Sequence, residues 1–272
     1  MVVKRLGRTF ISILIFGLLL GGYSFFESYL IQEKITTITD QNLPDAFDGK
    51  KIVFISDVQH CPFFSIKKIE NLVNRINNLN PDIVILIGDN ICKDREFITF
   101  CFEKLGKLKA KLGVYGITGY NPYTKGYKLI KQSMERAGII LLDNKAECIE
   151  SLGEKIKIRG VFNICEGAPD INEIIKDVRK DDFLILVSHN LYYSKHLNTE
   201  KINLILAGYI TRKPFARRCR SILSLYNRYK RVKDLFEMEN RKIVIASSAL
   251  SKKFFTRLFI RSLINIIILK TV

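Results

Sequence analysis

The chain has 272 residues, with 44 Lys and Arg against 27 Asp and Glu, a formal charge of +17; 47% of residues are apolar and 26% charged. The apolar share excludes a disordered chain, and the charged share excludes a polytopic membrane protein. The length suits one large α/β domain or two small ones. Six cysteines, at Cys61, Cys92, Cys101, Cys148, Cys165 and Cys219, show no C-x-x-C and no tight pairing. They point to neither a zinc knuckle nor a disulfide framework.

Residues 1–8 form a basic flank with Lys4, Arg5 and Arg8, and residues 9–26 carry no charge. The run predicts an uncleaved single-pass membrane anchor ahead of a cleaved signal or a buried helix. Glu27, Glu33, Asp40, Asp45 and Asp48 follow it, so the Lys/Arg asymmetry favours an extracytoplasmic domain. A peripheral, cytosol-facing arrangement would suit the basic domain equally well. Residues 27–42 are read as a linker and 43–272 as the folded domain.

Within that domain, Lys51 to Ser56 is a buried strand running into Asp57, and Ile66 to Leu79 is an amphipathic helix stopped by Pro81. Ile83 to Ile87 is a second buried strand, closing on Gly88-Asp89. A helix near Phe97 to Lys111, a strand from Gly113 to Thr118, a helix from Tyr127 to Ala137 and a strand from Ile139 to Leu142 follow. Further strands are predicted at Lys155 to Val161, Phe183 to Val187, Ile202 to Leu206, Ile243 to Ala246 and Ile264 to Leu269, with a helix near Ile171 to Val178. Strands alternate with helices and then dominate, which predicts a layered α/β sandwich of mixed α+β character.

Polar residues just beyond the carboxyl ends of buried strands are the usual site builders of such sheets. Here they are Asp57, Asp89, Tyr120-Asn121, His189-Asn190 and Tyr209. Singly, each reads best as a turn or capping residue. Together, the order I-S-D, N-P-D-I-V-I-L-I-G-D, L-G-V-Y-G-I-T-G, L-V-S-H-N and L-I-L-A-G resembles the calcineurin-like metallophosphoesterases. It most resembles their membrane-anchored bacterial branch of phosphodiesterases and UDP-2,3-diacylglucosamine pyrophosphatases of lipid A synthesis. Leu43-Pro44 through Asp48-Gly49, Ala137-Gly138 to Asn144, and Arg257 to Arg261 resemble further family segments. The resemblance implies a four-layer αββα sandwich, here behind an N-terminal transmembrane helix.

It also implies a two-metal site in which a metal-bound hydroxide attacks phosphorus, and here the chain departs. The family's D-x-H becomes Asp57 with Gln59, and His60 one residue later. Its G-D is intact as Gly88-Asp89, which makes Asp89 the implied bridging ligand. Its G-N-H reads Gly119-Tyr120-Asn121, with Asn121 where the family has a catalytic His. His189 retains the fourth-motif histidine, and G-H-x-H reads Gly208-Tyr209-Ile210-Thr211. A complete site needs more histidines than this chain's three. The implied metal ligands are Asp57, Asp89 and His189, with Gln59, His60 or Asn121 as a fourth contact. One divalent ion, Mn²⁺ or Mg²⁺, suits that set; a two-metal centre is not expected. The reading is a non-catalytic or very weak homologue that binds a phosphate-containing or anionic lipid ligand. Its alternative is an active phosphodiesterase or pyrophosphatase with a remodelled site.

From Arg212 to Lys233 there are nine Lys or Arg and no acid, interleaved with Phe215, Tyr226 and Tyr229. A solvated basic loop is the plain reading. The membrane, an anionic lipid or a nucleotide-linked lipid precursor is the partner reading, with Arg212, Lys213, Arg217, Arg218 and Arg220 as the anionic surface. Nucleic acid is disfavoured because no nucleic-acid-binding motif accompanies the charge.

Overall fold

The computed structural model describes residues 2–27, 30–56, 58, 66–88, 96–119, 126–161, 171–190, 201–209, 235–238, 241–245 and 262–272. After helix α1 (Val2–Glu27) come β1 (Ile31–Thr39), β2 (Lys51–Ser56), α2 (Ile66–Asn78), β3 (Ile83–Gly88), α3 (Glu96–Leu105) and β4 (Val114–Thr118). Then follow α4 (Tyr127–Arg136), β5 (Ile140–Leu141), β6 (Ala146–Ser151), β7 (Glu154–Val161), α5 (Ile171–Ile174), β8 (Leu184–Asn190) and β9 (Leu204–Tyr209). The chain closes with β10 (Leu235–Met238), β11 (Arg241–Ile245) and β12 (Ser262–Lys270).

Among the described residues the strands form two six-stranded sheets, ordered β1-β12-β2-β3-β4-β5 and β10-β11-β9-β8-β7-β6. β2 to β5 run parallel, and β12 enters antiparallel to β2. In the second sheet β7, β8, β9 and β11 are parallel, flanked by antiparallel β6 and β10. The central strands are nearly pure Ile, Val, Leu and Phe because each is covered on both faces. Alternate residues of β2 show it: Val53 and Ile55 pack outward with α2 and α3, while Ile52 and Phe54 pack inward between the sheets.

Three apolar clusters define the layers. The first holds Ile69, Leu72, Val73 and Ile76 of α2 and Cys101, Phe102 and Leu105 of α3 against the first sheet. The second lies between the sheets, with Ile85, Ile87 and Ile267 facing Ile158, Val187 and Leu206. The third packs Ile175 and Val178 on the outer face of the second sheet. This is the αββα order expected from the sequence. At the amino ends of β2 to β4, buried Asp82 donates its N–H to the Lys51 carbonyl at 2.9 Å, and its carboxylate accepts Lys51 N–H at 2.9 Å and pairs with Lys111 at 3.3 Å.

Two expectations are corrected. Residues 27–42 are not merely a linker, since they contain β1, which pairs in parallel with β12 from Ile31↔Ser262 to Thr39↔Lys270. The anchored, single-pass localisation with an extracytoplasmic domain is overturned: among the described residues no helix is long and apolar enough to cross a membrane.

Candidate functional site

The carboxyl ends of β2, β3 and β4 lie level, because Ser56 registers with Ile87 and Gly88 with Thr118. In the second sheet, Ser188 registers with Ala207 and Asn190 with Tyr209. The two edges meet. The Ser56 hydroxyl donates to the Gly208 carbonyl oxygen at 3.4 Å. A Cβ on Gly208 would fall 2.8 Å from His189 Cδ2 and 3.0 Å from Ile87 Cγ2. Glycine at 208 therefore leaves the space that the His189 ring uses, between the ends of β3 and β9. His189 is buried there.

Of the site residues read from the sequence, His189 is the one whose side chain the structure describes. Asp57, Gln59, His60, Asp89, Tyr120, Asn121, Arg212, Lys213, Arg217, Arg218 and Arg220 lie outside the described residues. In the chain, Asp57 directly follows Ser56, Asp89 follows Gly88, and Tyr120 follows Gly119. Among the described residues no group of three or more His, Cys, Asp or Glu side chains is placed to hold a metal ion. The donor chemistry nonetheless suits a divalent cation. The imidazole of His189 together with Asp57 and Asp89, which follow β2 and β3 in the chain, is the nitrogen-and-oxygen donor mixture that such ions take.

Sequence reasoning missed Asp143. Its carboxylate accepts the Thr118 backbone N–H at 2.9 Å through Oδ1 and the Thr118 hydroxyl at 2.6 Å through Oδ2. Thr118 is the last residue of β4, so this carboxylate fixes the strand end that leads to Tyr120 and Asn121. The available signal was an acid directly after the apolar run Ile139 to Leu142. Burial pushes the Asp143 carboxyl above the usual carboxylate range, opposed by the hydrogen bonds from Thr118 and Tyr127.

A raised folded-state pKa means the folded chain holds its proton more tightly than the unfolded one. The associated stability is present below the unfolded value, ~3.9, and is lost as pH rises through the folded value. Asp143→Asn removes that loss. The stability of Asp143→Asn relative to wild type should therefore climb as pH rises from the ordinary carboxylate value upward, measured by urea unfolding at stepped pH. A difference that is flat or falls with pH would contradict the assignment.

No protein-family model matches the chain. It is 26% identical over 198 residues to "Uncharacterized metallophosphoesterase YkuE" of Bacillus subtilis (strain 168), covering 70% of this chain and 68% of that protein. It is 24% identical over 201 residues to an "Uncharacterized metallophosphoesterase" of Aquifex aeolicus (strain VF5), covering 70% and 74%. Its relatives are metallophosphoesterases. A third, "Transmembrane protein with metallophosphoesterase domain" of Danio rerio, is 25% identical over 185 residues; the match covers 62% of this chain and 42% of that protein. These matches support the metallophosphoesterase superfamily for the chain, and the superfamily implies use of divalent metal ions. The αββα layering and the meeting of β2, β3, β4, β8 and β9 at one edge agree with it.

Proposed function

We propose that this metallophosphoesterase relative holds one divalent ion, Mn²⁺ or Mg²⁺, through Asp57, Asp89 and His189. On this reading it binds a phosphate-containing ligand with little or no hydrolysis. One observation carries the reading: the chain has three histidines, and Gln59, Tyr120, Asn121, Tyr209 and Thr211 occupy motif positions where relatives of this type place ligands or catalytic groups. His189, seated against Gly208 at the meeting of the two sheets, supports a site that keeps its location while losing half its chemistry.

A divalent ion bound there would supply Lewis acidity toward a phosphoryl oxygen and neutralise the carboxylates. The remaining work falls to the chain. Asp57 and Asp89 supply hard oxygen donors that would repel one another without a cation. His189 contributes its imidazole nitrogen, and its packing between strand ends limits ring rotation. Gln59, His60 or Asn121 completes the ligand set, and Arg212, Lys213, Arg217, Arg218 and Arg220 supply positive charge for the phosphate. Retention of Asp57, Asp89 and His189 favours a second reading, a metal-dependent phosphodiesterase or pyrophosphatase acting on a UDP-2,3-diacylglucosamine-type substrate.

The test of the ion site is thermal. A ligand that binds only the folded state at 100 times its dissociation constant stabilises by about 2.7 kcal/mol. For a domain of this size that raises the melting temperature by about 5 °C or more. Mn²⁺ should produce such a shift in the wild type, and Asp89→Asn should abolish it. An unchanged melting temperature across millimolar Mn²⁺ and Mg²⁺ would remove the metal reading.

A further inference from the structure

The outer face of the second sheet carries a guanidinium that its neighbours use only in part. Arg159, in β7, is 1% exposed. Its Nη1 donates to the Glu147 carbonyl of β6 at 2.8 Å and to the Ile158 carbonyl at 3.1 Å. Its Nη2 donates to Asp177 Oδ2 at 2.8 Å, while Nε is buried with no hydrogen-bond partner among the described residues. Nε and Nη2 form the edge of a guanidinium that takes a carboxylate or a phosphate two-pronged. Here one oxygen engages that edge, and a buried donor left unpaired is costly until an acceptor reaches it.

The bond to Asp177 leads to open space. The Asp177 side chain is 57% exposed and lines a cavity of about 310 Å³ between the turn at 144–146 and segment 173–177. Ala146, the β6 partner of Arg159 in the sheet register, lines it too, so Arg159 borders the cavity wall through both its strand neighbour and its acid partner. That volume is in the range of small-ligand sites. Lys145 and Lys176 belong to the same lining. Lys176 pairs with Glu173, and Lys145 makes no ion pair among the described residues. Lys157 Nζ donates to the Asp177 carbonyl oxygen at 2.6 Å and pairs with Asp182 at 2.8 Å. The backbone at 177 therefore stays held when its carboxylate turns away.

We propose that this cavity binds a small molecule through a carboxylate or phosphate group, with Arg159 as the anchor, Lys145 and Lys176 as rim cations and Asp177 as the internal carboxylate that the ligand displaces. The incoming group takes Nε and Nη2 together, which one oxygen of Asp177 does not. None of these residues belongs to the ion site proposed above, and the inference stands without it. A purely structural Arg159–Asp177 pair would make Asp177 an asset to the fold and nothing else. In a binding site Asp177 competes with the ligand, so its removal improves binding.

The experiment is calorimetric titration of the full chain, without metal and at fixed ionic strength, with inorganic phosphate and with malonate. One or both should bind saturably to the wild type, and whichever does names the ligand group. Asp177→Asn should tighten that binding by roughly three- to tenfold, because an anchor freed from its internal partner is competent in more of the molecules. Lys145→Gln and Lys176→Gln should each weaken it by about two- to fivefold, as exposed charges do. Arg159→Gln should weaken it by about tenfold or more; if that variant does not fold, the exposed Asp177 and Lys positions carry the test. Amide exchange in peptides covering 144–147 and 173–178 should slow when the anion is added. No saturable binding of either anion by wild type or Asp177→Asn would overturn the proposal. So would an affinity that Asp177→Asn, Lys145→Gln and Lys176→Gln all leave unchanged. Binding lost in the Asp57→Ala/Asp89→Ala double variant would move the anion to the ion site and overturn the cavity.

Discussion

Replacing Gly160 with alanine is expected to lower the melting temperature by about 10 °C. A Cβ at this position of β7 would lie 2.1 Å from the Leu142 carbonyl oxygen and 2.6 Å from Leu142 Cβ. A backbone oxygen cannot rotate away as a flexible side chain can. Relief requires β7 and the turn after β5 to separate, and both are pinned: Gly160 N–H to Lys145 O at 3.1 Å, Leu142 N–H to Gly116 O at 2.8 Å. Overpacking a fixed core contact costs about 1–3 kcal/mol and sometimes more, and this contact belongs at the upper end. At about 2–4 °C per kcal/mol for a domain of this size, that gives the stated shift. Differential scanning calorimetry reads the shift. A melting temperature within about 2 °C of wild type would mean that the two sheets approach less closely here than described.

Much of this architecture was legible in the sequence because its central strands are covered on both faces. Lys51 to Ser56 and Ile83 to Ile87 are short, β-branched, uninterrupted runs, and α2 repeats apolar residues at helical spacing. What escaped was structure decided by distant partners. β1 reads IQEKITTIT, and Ile38 is the residue of it that is fully buried; an edge strand covers one face only, and its pairing partner lies at the far end of the chain. β6, with the sequence AECIES, is another polar edge strand, for which β7 supplies the pairing. The helix expected to continue to Lys111 stops at Leu105. Gly106 follows it, and a Cβ there would stand 3.1 Å from Ala137 Cβ at the end of α4. That close approach of two helix ends is a tertiary fact with no local signature.

The candidate site divides in the same way. His189 was readable from its motif, yet the reason it fits, the missing side chain at Gly208 on a neighbouring strand, lies 19 positions further along the chain. Asp143 carries no motif role. It becomes significant only when β4 and β5 pair and bring Thr118 against it. The membrane reading of residues 9–26 came from an uncharged run behind basic residues, and among the described residues no helix is long and apolar enough to cross a membrane.

On the function proposed above, the chain holds an ion at this site without hydrolytic power. Phosphoester hydrolysis needs a nucleophile activated at neutral pH and positive charge aimed at the oxygens that gain charge in the transition state. Tyr120, Asn121, Tyr209 and Thr211 stand where the resemblance implies metal ligands and a stabilising histidine. Each lost electrostatic stabiliser costs roughly 10²–10³ in rate, so losing several places turnover at least about 10³-fold below an intact two-metal site. The basic residues from Arg212 onward would supply charge but no activated nucleophile. The decisive measurement is hydrolysis of bis-p-nitrophenyl phosphate and of a UDP-diacylglucosamine-type substrate with Mn²⁺, beside an Asp57→Ala/Asp89→Ala double variant. Rates indistinguishable from that variant are predicted. Turnover well above it, and lost with it, would contradict the claim and make the chain a working one-metal hydrolase.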